Sequence, residues 1–556
     1  MIYNPSRKEI VCLIICGFMV LFCLVGCGRH DYKAEADETV YNIINEKWQD
    51  DFGGKANYKI SDTTPSPSDI KIEKTIPASG ILTLPQAVAM ATAHNRQYQT
   101  EKELLYIKAL DLRLARHDFE PQFFGGGKGR YVKDGRDEGI GAQSNFAFEQ
   151  LLASGVRVNT NVTAAWVDIL TGNMRSGLST LISTTITKPL LRGSNSKIVM
   201  ENLTQAERDT VYQIRQFNRF RQTFVVSVIS QYYYVLQQFN FLKNAESNHK
   251  ILTALYGRTE KLADAGRLPR YELDRVGQDK LDAQDTYIQA QKDYKQALDE
   301  FKITLGLPAT AKFNLDESEL AALSIVNKPD LAKISGHEKE QKDGELAKEV
   351  SDLLEDELDV IKTVLALRLD LANKANAIFD AERKVLAAKD RLRMKLDLTA
   401  SVDNSSGKHT DFSTLGKTKN TAGLGLDLDL PLEQMAEANE YRKALIMVTQ
   451  RKREYEEAAD IVILEVRQAY RDLTKAAERH RVQLESLGLA QKRFKNTLLL
   501  MQYGRVNSRR VLDAQNDLFD AKNAATEALV GHTVAMLNFY RDVGVLQVRP
   551  DGMWEY

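Results

Sequence analysis

The chain has 556 residues and a formal net charge of −1, and 27% of its residues are Asp, Glu, Lys or Arg. A near-neutral chain with no basic cluster argues against nucleic-acid binding, which needs a positively charged face. All four cysteines, Cys12, Cys16, Cys23 and Cys27, lie in the first 27 residues, so the rest of the chain has neither disulfides nor thiolate chemistry.

Arg7 and Lys8 precede a stretch, residues 10–26, that contains no charged side chain. A positive segment followed by an apolar one is the pattern of a secretory signal. The stretch ends in Leu24-Val25-Gly26-Cys27, which resembles a bacterial lipobox. That resemblance implies cleavage after Gly26 and acylation of Cys27; the alternative is an uncleaved membrane anchor. With Gly28 rather than an aspartate after the cysteine, the same resemblance implies an outer-membrane destination. No later apolar run approaches the length of a spanning helix, so any further crossing must use strands closed into a β-barrel.

Residues 27–80 read as a lipidated tail. It holds an amphipathic stretch at 36–48, then a polar linker with Pro65, Pro67 and Pro77, expected to be extended or irregular. Helix is predicted from Thr83, where Thr83-x-x-Gln86 forms a capping box with Pro85 in the first turn. That helix can continue to His117, and Pro121 stops it. Strands are predicted over 122–191, where Phe146/Phe148 and Val156/Val158 alternate, Thr and Gly are frequent and Trp166 appears. This segment is long for two strands. It has room for an extra hairpin turning at 151–155, which leaves the strand count open.

No proline interrupts the chain between Pro189 and Pro269, or between Pro431 and Pro550. Within those gaps, residues 196–255 and 433–502 are rich in strong helix formers. A 60-residue helix is about 90 Å long, a length found in coiled coils and bundles rather than ordinary globular domains. Shorter helices are predicted over 269–305 and 508–542, and another over 345–393. A second strand region, 394–432, has Leu396/Leu398 and then Leu424, Leu426, Leu428 and Leu430 alternating with Gly or Asp. Such a strand has one apolar and one polar face. It fits either a soluble core or a barrel wall between lipid and a water-filled lumen.

The chain also repeats itself. An offset of 238 residues carries Gly266-Arg267-Leu268 onto Gly504-Arg505-Val506 and Leu305-Gly306-Leu307 onto Val543-Gly544-Val545. The strand-to-helix prolines Pro189 and Pro431 also correspond. Each half therefore runs helix, strands, proline, long helix, glycine turn, shorter helix. The boundaries are 1–26 signal, 27–80 tail, 81–307 first repeat, 308–358 insert, 359–546 second repeat and 547–556 C-terminal tail. The insert carries a heavily charged run at 338–357, expected to be a solvated helix. Helices with apolar seams must pack as a bundle. A few strands per half leave open edges, so closure of a barrel requires several copies to share it.

Three stretches in this order, LTLPQAVAMATAHN at 82–95, TKPLLRG at 187–193 and LALRLDLANKANAIFDAERKVLAAKDRL at 365–392, together with the two glycine-led repeats, resemble the outer-membrane efflux protein family, the TolC-like channels. The likeness covers roughly residues 82–544. It implies an α+β membrane protein: a long antiparallel α-helical bundle or tunnel, plus strands from each protomer completing a trimeric transmembrane β-barrel, with internal duplication. Members are homotrimers with a twelve-stranded barrel. Their periplasmic tunnel docks on an adaptor protein and an inner-membrane transporter, and the barrel sits among outer-membrane lipid. One departure is Leu369, where the family usually has proline.

No catalytic constellation is present. The eight histidines are scattered without metal-ligand spacing, and Gly125-Gly126-Gly127-Lys128-Gly129 lacks the P-loop pattern. The sequence thus points to no enzyme, no cofactor and no metal. The family resemblance instead places a gate at the turns that open each repeat, which begin at Gly266 and Gly504. It assigns Asp513 to a lumen-facing acidic position, with Arg510 where a second acidic residue is usual. Glu272 corresponds to the acidic partner of an arginine of the second repeat, for which Arg505 or Arg509 can serve. The expected function is a passive exit duct for a tripartite efflux or type I secretion system. The alternative is a non-channel periplasmic coiled-coil structural or adaptor lipoprotein.

Overall fold

The structure, a computed structural model, describes residues 32–49, 52, 54–55, 58–60, 80–134, 137–171, 177–326, 357–406, 418–503, 505–549 and 554–555. The signal segment, Cys27, Pro65, Pro67, Pro77, Gly504 and most of the charged run of the insert lie outside these residues.

In chain order the elements are α1 (Tyr32–Lys47), β1 (Ile81–Leu82), α2 (Leu84–His94), α3 (Arg96–His117), β2 (Gln122–Asp134), β3 (Asp137–Leu151), β4 (Arg157–Thr171) and β5 (Gly177–Pro189). The long helices α5 (Glu201–Asp264) and α6 (Arg270–Thr304) follow a single turn, α4 (Ser196–Val199). Next come β6 (Asn314–Leu315), α7 (Ser318–Val326), α8 (Glu357–Leu367), α9 (Leu369–Arg391), β7 (Lys395–Ser406) and β8 (Thr418–Asp429). The chain ends with α10 (Met435–Gln502), α11 (Ser508–Val543), β9 (Gln547–Val548) and β10 (Trp554–Glu555).

The two proline-free gaps are single helices of 64 and 68 residues, about 96 and 102 Å long. α5 packs along α6, and α10 along α11; α11 and α3 lie against α5, and α9 bridges α5 and α10. The main core lies along α5, where Phe217 and Tyr232 are fully buried and Tyr232 Oη donates to the Leu82 carbonyl at 3.0 Å. α10 is different. Only Val462, Val466, Ala469, His480 and Ala490 of its 68 residues are buried, while apolar side chains such as Met447, Ile461, Val482 and Leu489 are exposed within one copy.

The helix predicted from Thr83 to His117 is two helices. It breaks at Asn95, whose backbone is extended at φ −66 and ψ 129. No local breaker predicts this. Gly306, at φ +76, packs its backbone on His94 so closely that a Cβ there would lie 2.2 Å from the His94 carbonyl oxygen. The second repeat breaks likewise at Arg368, φ −72 and ψ 109, where Gly544 at φ +91 meets Leu367. Leu369 opens α9 directly after this break, so the chain turns there without the family's proline.

The strand region 122–191 contains four strands. Its extra hairpin turns at 152–155, where the expected turn lies. All six long strands form one antiparallel sheet in the order β2-β3-β4-β5-β7-β8. Each copy therefore carries six strands, not the four that a trimeric twelve-stranded barrel requires. The register sorts side chains by face. Phe123 pairs with Phe148, Phe146 with Val162, Val162 with Ile182, Ile186 with Ala400 and Leu398 with Leu426, all on one side. On the other side Asn145 pairs with Thr163, Asn159 with Thr185, Thr187 with Thr399 and Asp397 with Asp427. The apolar face is uncovered, and Leu424 is 78% exposed. Among the described residues, no helix is long and apolar enough to cross a membrane.

α1 fulfils the amphipathic reading of the tail. Val40, Ile43, Ile44 and Trp48 are buried, and Tyr106 Oη donates to Asp37 at 2.6 Å. Arg113 and Arg116 of α3 pair with Glu35 and Glu46 at 2.7 and 3.2 Å. α1 therefore packs along α3.

Candidate functional site

The long helices reverse through two turns that share a backbone hydrogen bond. α5 ends at Asp264, Gly266 takes φ +68, and the Arg267 N–H donates to the Leu262 carbonyl at 2.9 Å. Pro269 then occupies the N-cap position of α6, without a side-chain cap. In the second repeat the Arg505 N–H donates to the Leu500 carbonyl at 2.9 Å, and Asn507 caps α11 by accepting from the Arg510 N–H at 3.3 Å. Arg267 and Arg505, and Leu262 and Leu500, are each related by the offset read from the sequence. The sequence repeat is thus also a repeat of hydrogen bonds.

Beneath the turns a small core of Leu252, Val276, Ala283 and Leu512 joins α5, α6 and α11. Nearby, Gln515 Nε2 donates to Asn248 Oδ1 at 2.9 Å, both buried. This packing fixes the start of α11. Leu512 points inward, while its neighbour Asp513 is exposed. Arg505, Arg509 and Arg510 are exposed as well, and Glu272 is half-buried.

Among the described residues none of these five charges makes an ion pair within one copy. The contact expected between Glu272 and Arg505 or Arg509 is absent inside a single protomer. The structure instead brings Asp513 towards α6. The Asp279 carboxyl is raised above the usual carboxylate range, first by burial and then by Asp282 and Asp513, against the opposing pull of Arg275. Asp279 was not singled out from the sequence. Its only signal there is its place one helical turn after Arg275.

At the other end of α5, Pro189 closes β5 and Pro431 follows β8, so both prolines stand where strand gives way to helix. The TKPLLRG stretch is tied to the second repeat: the Leu190 N–H donates to the Leu396 carbonyl at 2.8 Å, and the Gly193 N–H to Asp390 Oδ2 at 2.6 Å. Lower down, Asp380 of α9 is almost completely buried and accepts from Arg208, Tyr212 Oη and Arg383 at 2.7, 2.6 and 2.7 Å. Burial opposes its charge, but these donors outweigh burial and hold the carboxyl below its usual range. Where the helices break, Asn95 Nδ2 donates to the Thr304 carbonyl at 2.8 Å and Arg368 Nη1 to the Asp542 carbonyl at 3.1 Å. Among the described residues, no group of three or more His, Cys, Asp and Glu side chains is placed to hold a metal ion.

Residues 360–536 match the family model described as outer membrane efflux protein. No curated protein matches the sequence. Solved structures of similar fold include the CmeC outer membrane channel of Campylobacter jejuni, 12% identical over 89% of this chain and 92% of that one, with a TM-score of 0.58. The open-state MtrE outer membrane channel of Neisseria gonorrhoeae is 13% identical over 84% and 90%, with a TM-score of 0.56. CusC, whose structures concern transmembrane channel formation, is 16% identical over 83% and 92%, with a TM-score of 0.55. At these identities the likeness is one of fold, and it spans both the helices and the sheet.

Proposed function

We propose, for a chain that belongs to the outer membrane efflux protein family and has the fold of its TolC-like channels, that it is the outer-membrane exit duct of an efflux or secretion system. One observation carries this reading: an uncovered six-stranded sheet with an apolar face, a polar face and two open edges. In water such a face is an association hazard. In a bilayer it meets lipid while the polar face lines an aqueous lumen. The strands are 12 to 15 residues long, more than the roughly 9–11 that a tilted strand needs to cross a bilayer.

Three copies complete the assembly. The exposed apolar side chains of α10 support it, because Met447, Ile461, Val482 and Leu489 suit burial against a neighbouring copy. The duct performs no chemistry. Its work is to exclude lipid, hold water and open or close at the helical turns. There Glu272, Arg505, Arg509 and Arg510 are free to pair with neighbouring copies, and Asp513 and Asp279 set an acidic rim. A periplasmic adaptor and an inner-membrane transporter supply the energy and choose the cargo. Cys27, acylated, tethers the tail that ends on α3.

Purified protein extracted from outer membranes with detergent should run as a heat-modifiable oligomer and conduct ions in planar bilayers. A product that is soluble without detergent, monomeric and non-conducting would overturn the reading.

A further inference from the structure

From the two open edges of the sheet we infer that β2 of one copy pairs with β8 of the next, and that three copies close an eighteen-stranded barrel. The inference rests on the membrane-duct reading above and goes beyond it in pore size. β4 is hydrogen-bonded on both sides, to β3 and to β5, so it has no edge to offer a neighbour. Within this six-stranded sheet, among the described residues, only β2 and β8 have a strand on one side alone. In lipid such edges cannot stay unpaired.

The register of the sheet makes the edges compatible. With an even number of alternating strands, β8 of one copy meets β2 of the next antiparallel. Gln122 stands at the helix end of β2, and Asp429 at the helix end of β8. Setting Gln122 opposite Asp429 places both on the polar face. It also places Phe123 opposite Leu428 on the apolar face, where they are 64% and 58% exposed in one copy. A one-residue slip would put every apolar side chain of the neighbour on the wrong face.

The stagger also closes. The row of paired residues starting at Gln122 passes through Glu149, Asn159, Thr185 and Ser401 to Gly423, six residues short of Asp429. A shift of six residues across six strands gives a tilt of about 35° from ordinary strand rise and spacing, at the lower end of the range for barrels. At that tilt eighteen strands enclose a cylinder about 33 Å across between backbones, against about 22 Å for twelve. The added hairpin therefore widens the barrel by half while the number of tunnel helices stays the same.

The test is disulfide cross-linking in outer membranes, using the full chain with paired substitutions. Phe123→Cys with Leu428→Cys should give covalent dimers and trimers on oxidation. Val158→Cys with Leu428→Cys, the pair expected if β2 and β3 lay outside a twelve-stranded barrel, should give none. The reverse result overturns the inference and leaves the duct intact. Failure of both pairs in a protein that still inserts and conducts also overturns it. A product that does not insert at all sinks the duct reading instead. A strand count on the detergent-solubilised oligomer by electron cryomicroscopy should give eighteen; twelve would refute the edge pairing whatever the cross-links show.

Discussion

Asn95 donates its side-chain amide to the Thr304 carbonyl at 2.8 Å, across the break between α2 and α3. The same relation recurs 238 residues beyond Thr304, where Arg368 donates to the Asp542 carbonyl at 3.1 Å. In each repeat a polar side chain at a helix break satisfies a carbonyl two residues before a left-handed glycine. Asn95 also accepts from the Tyr98 N–H at 3.0 Å and so caps α3. The breaks are joints where the returning short helix is seated on the strand-bearing arm.

Substituting the glycines should affect the two joints unequally. Gly306→Ala forces a Cβ into the His94 carbonyl as well as imposing an unfavourable φ, and should cost about 2–3 kcal/mol. Gly544→Ala meets nothing closer than 3.4 Å, so it carries mainly the backbone term, about 1 kcal/mol. Denaturant midpoints of the solubilised protein would show the order, and equal losses would contradict it.

Asp380→Ala should be among the more costly single changes in the helical part. It strands Arg208, Arg383 and Tyr212, whose donors converge on one nearly buried carboxylate. Loss of about 3 kcal/mol is expected, reduced somewhat because Arg208 reaches solvent. The conservative Asp380→Asn should recover only part of it, read from thermal unfolding.

His480 and His532 stack between α10 and α11 with ring centroids 5.8 Å apart. Burial lowers both, and for His532 the neighbouring His480 lowers it further. Their folded values therefore lie below the unfolded value of about 6.5. The unfolded chain binds more protons in that window, so stability is complete above about pH 6.5 and falls as pH drops towards the folded values. Thermal midpoints should decrease from pH 7 to pH 5, and His480→Gln with His532→Gln should flatten the decrease.

At the turns, Glu272→Ala with Arg505→Ala should raise single-channel conductance in planar bilayers if pairs between copies hold the duct closed. Each exposed pair contributes only about 0–1 kcal/mol, so the double variant should keep its thermal midpoint. Unchanged conductance would remove these residues from the gate.

If Cys27 is acylated, Cys27→Ala should slow targeting or assembly while leaving the conductance of correctly inserted oligomers intact, because on the duct reading the strands hold the membrane. Loss of conductance in inserted oligomers would show that acylation does more than tether the tail.

Elements whose cause is local could be read from the order of residues alone. Proline-free stretches of helix formers predicted α5 and α10, and leucine alternation marked β8. The repeat offset of 238 residues relates the two turns. Features that depend on residues far apart in the chain follow from long-range packing. The breaks at Asn95 and Arg368 exist because Gly306 and Gly544 pack against them, and neither site carries a local breaker. The length of 122–191 suggested an extra hairpin but left the strand count open; pairing fixes it at four, because alternation marks a strand but not its neighbours. The charges expected at a gate do not pair within one copy: Glu272 and Arg505 do not meet, and contacts between copies are set by the surface that folding leaves exposed.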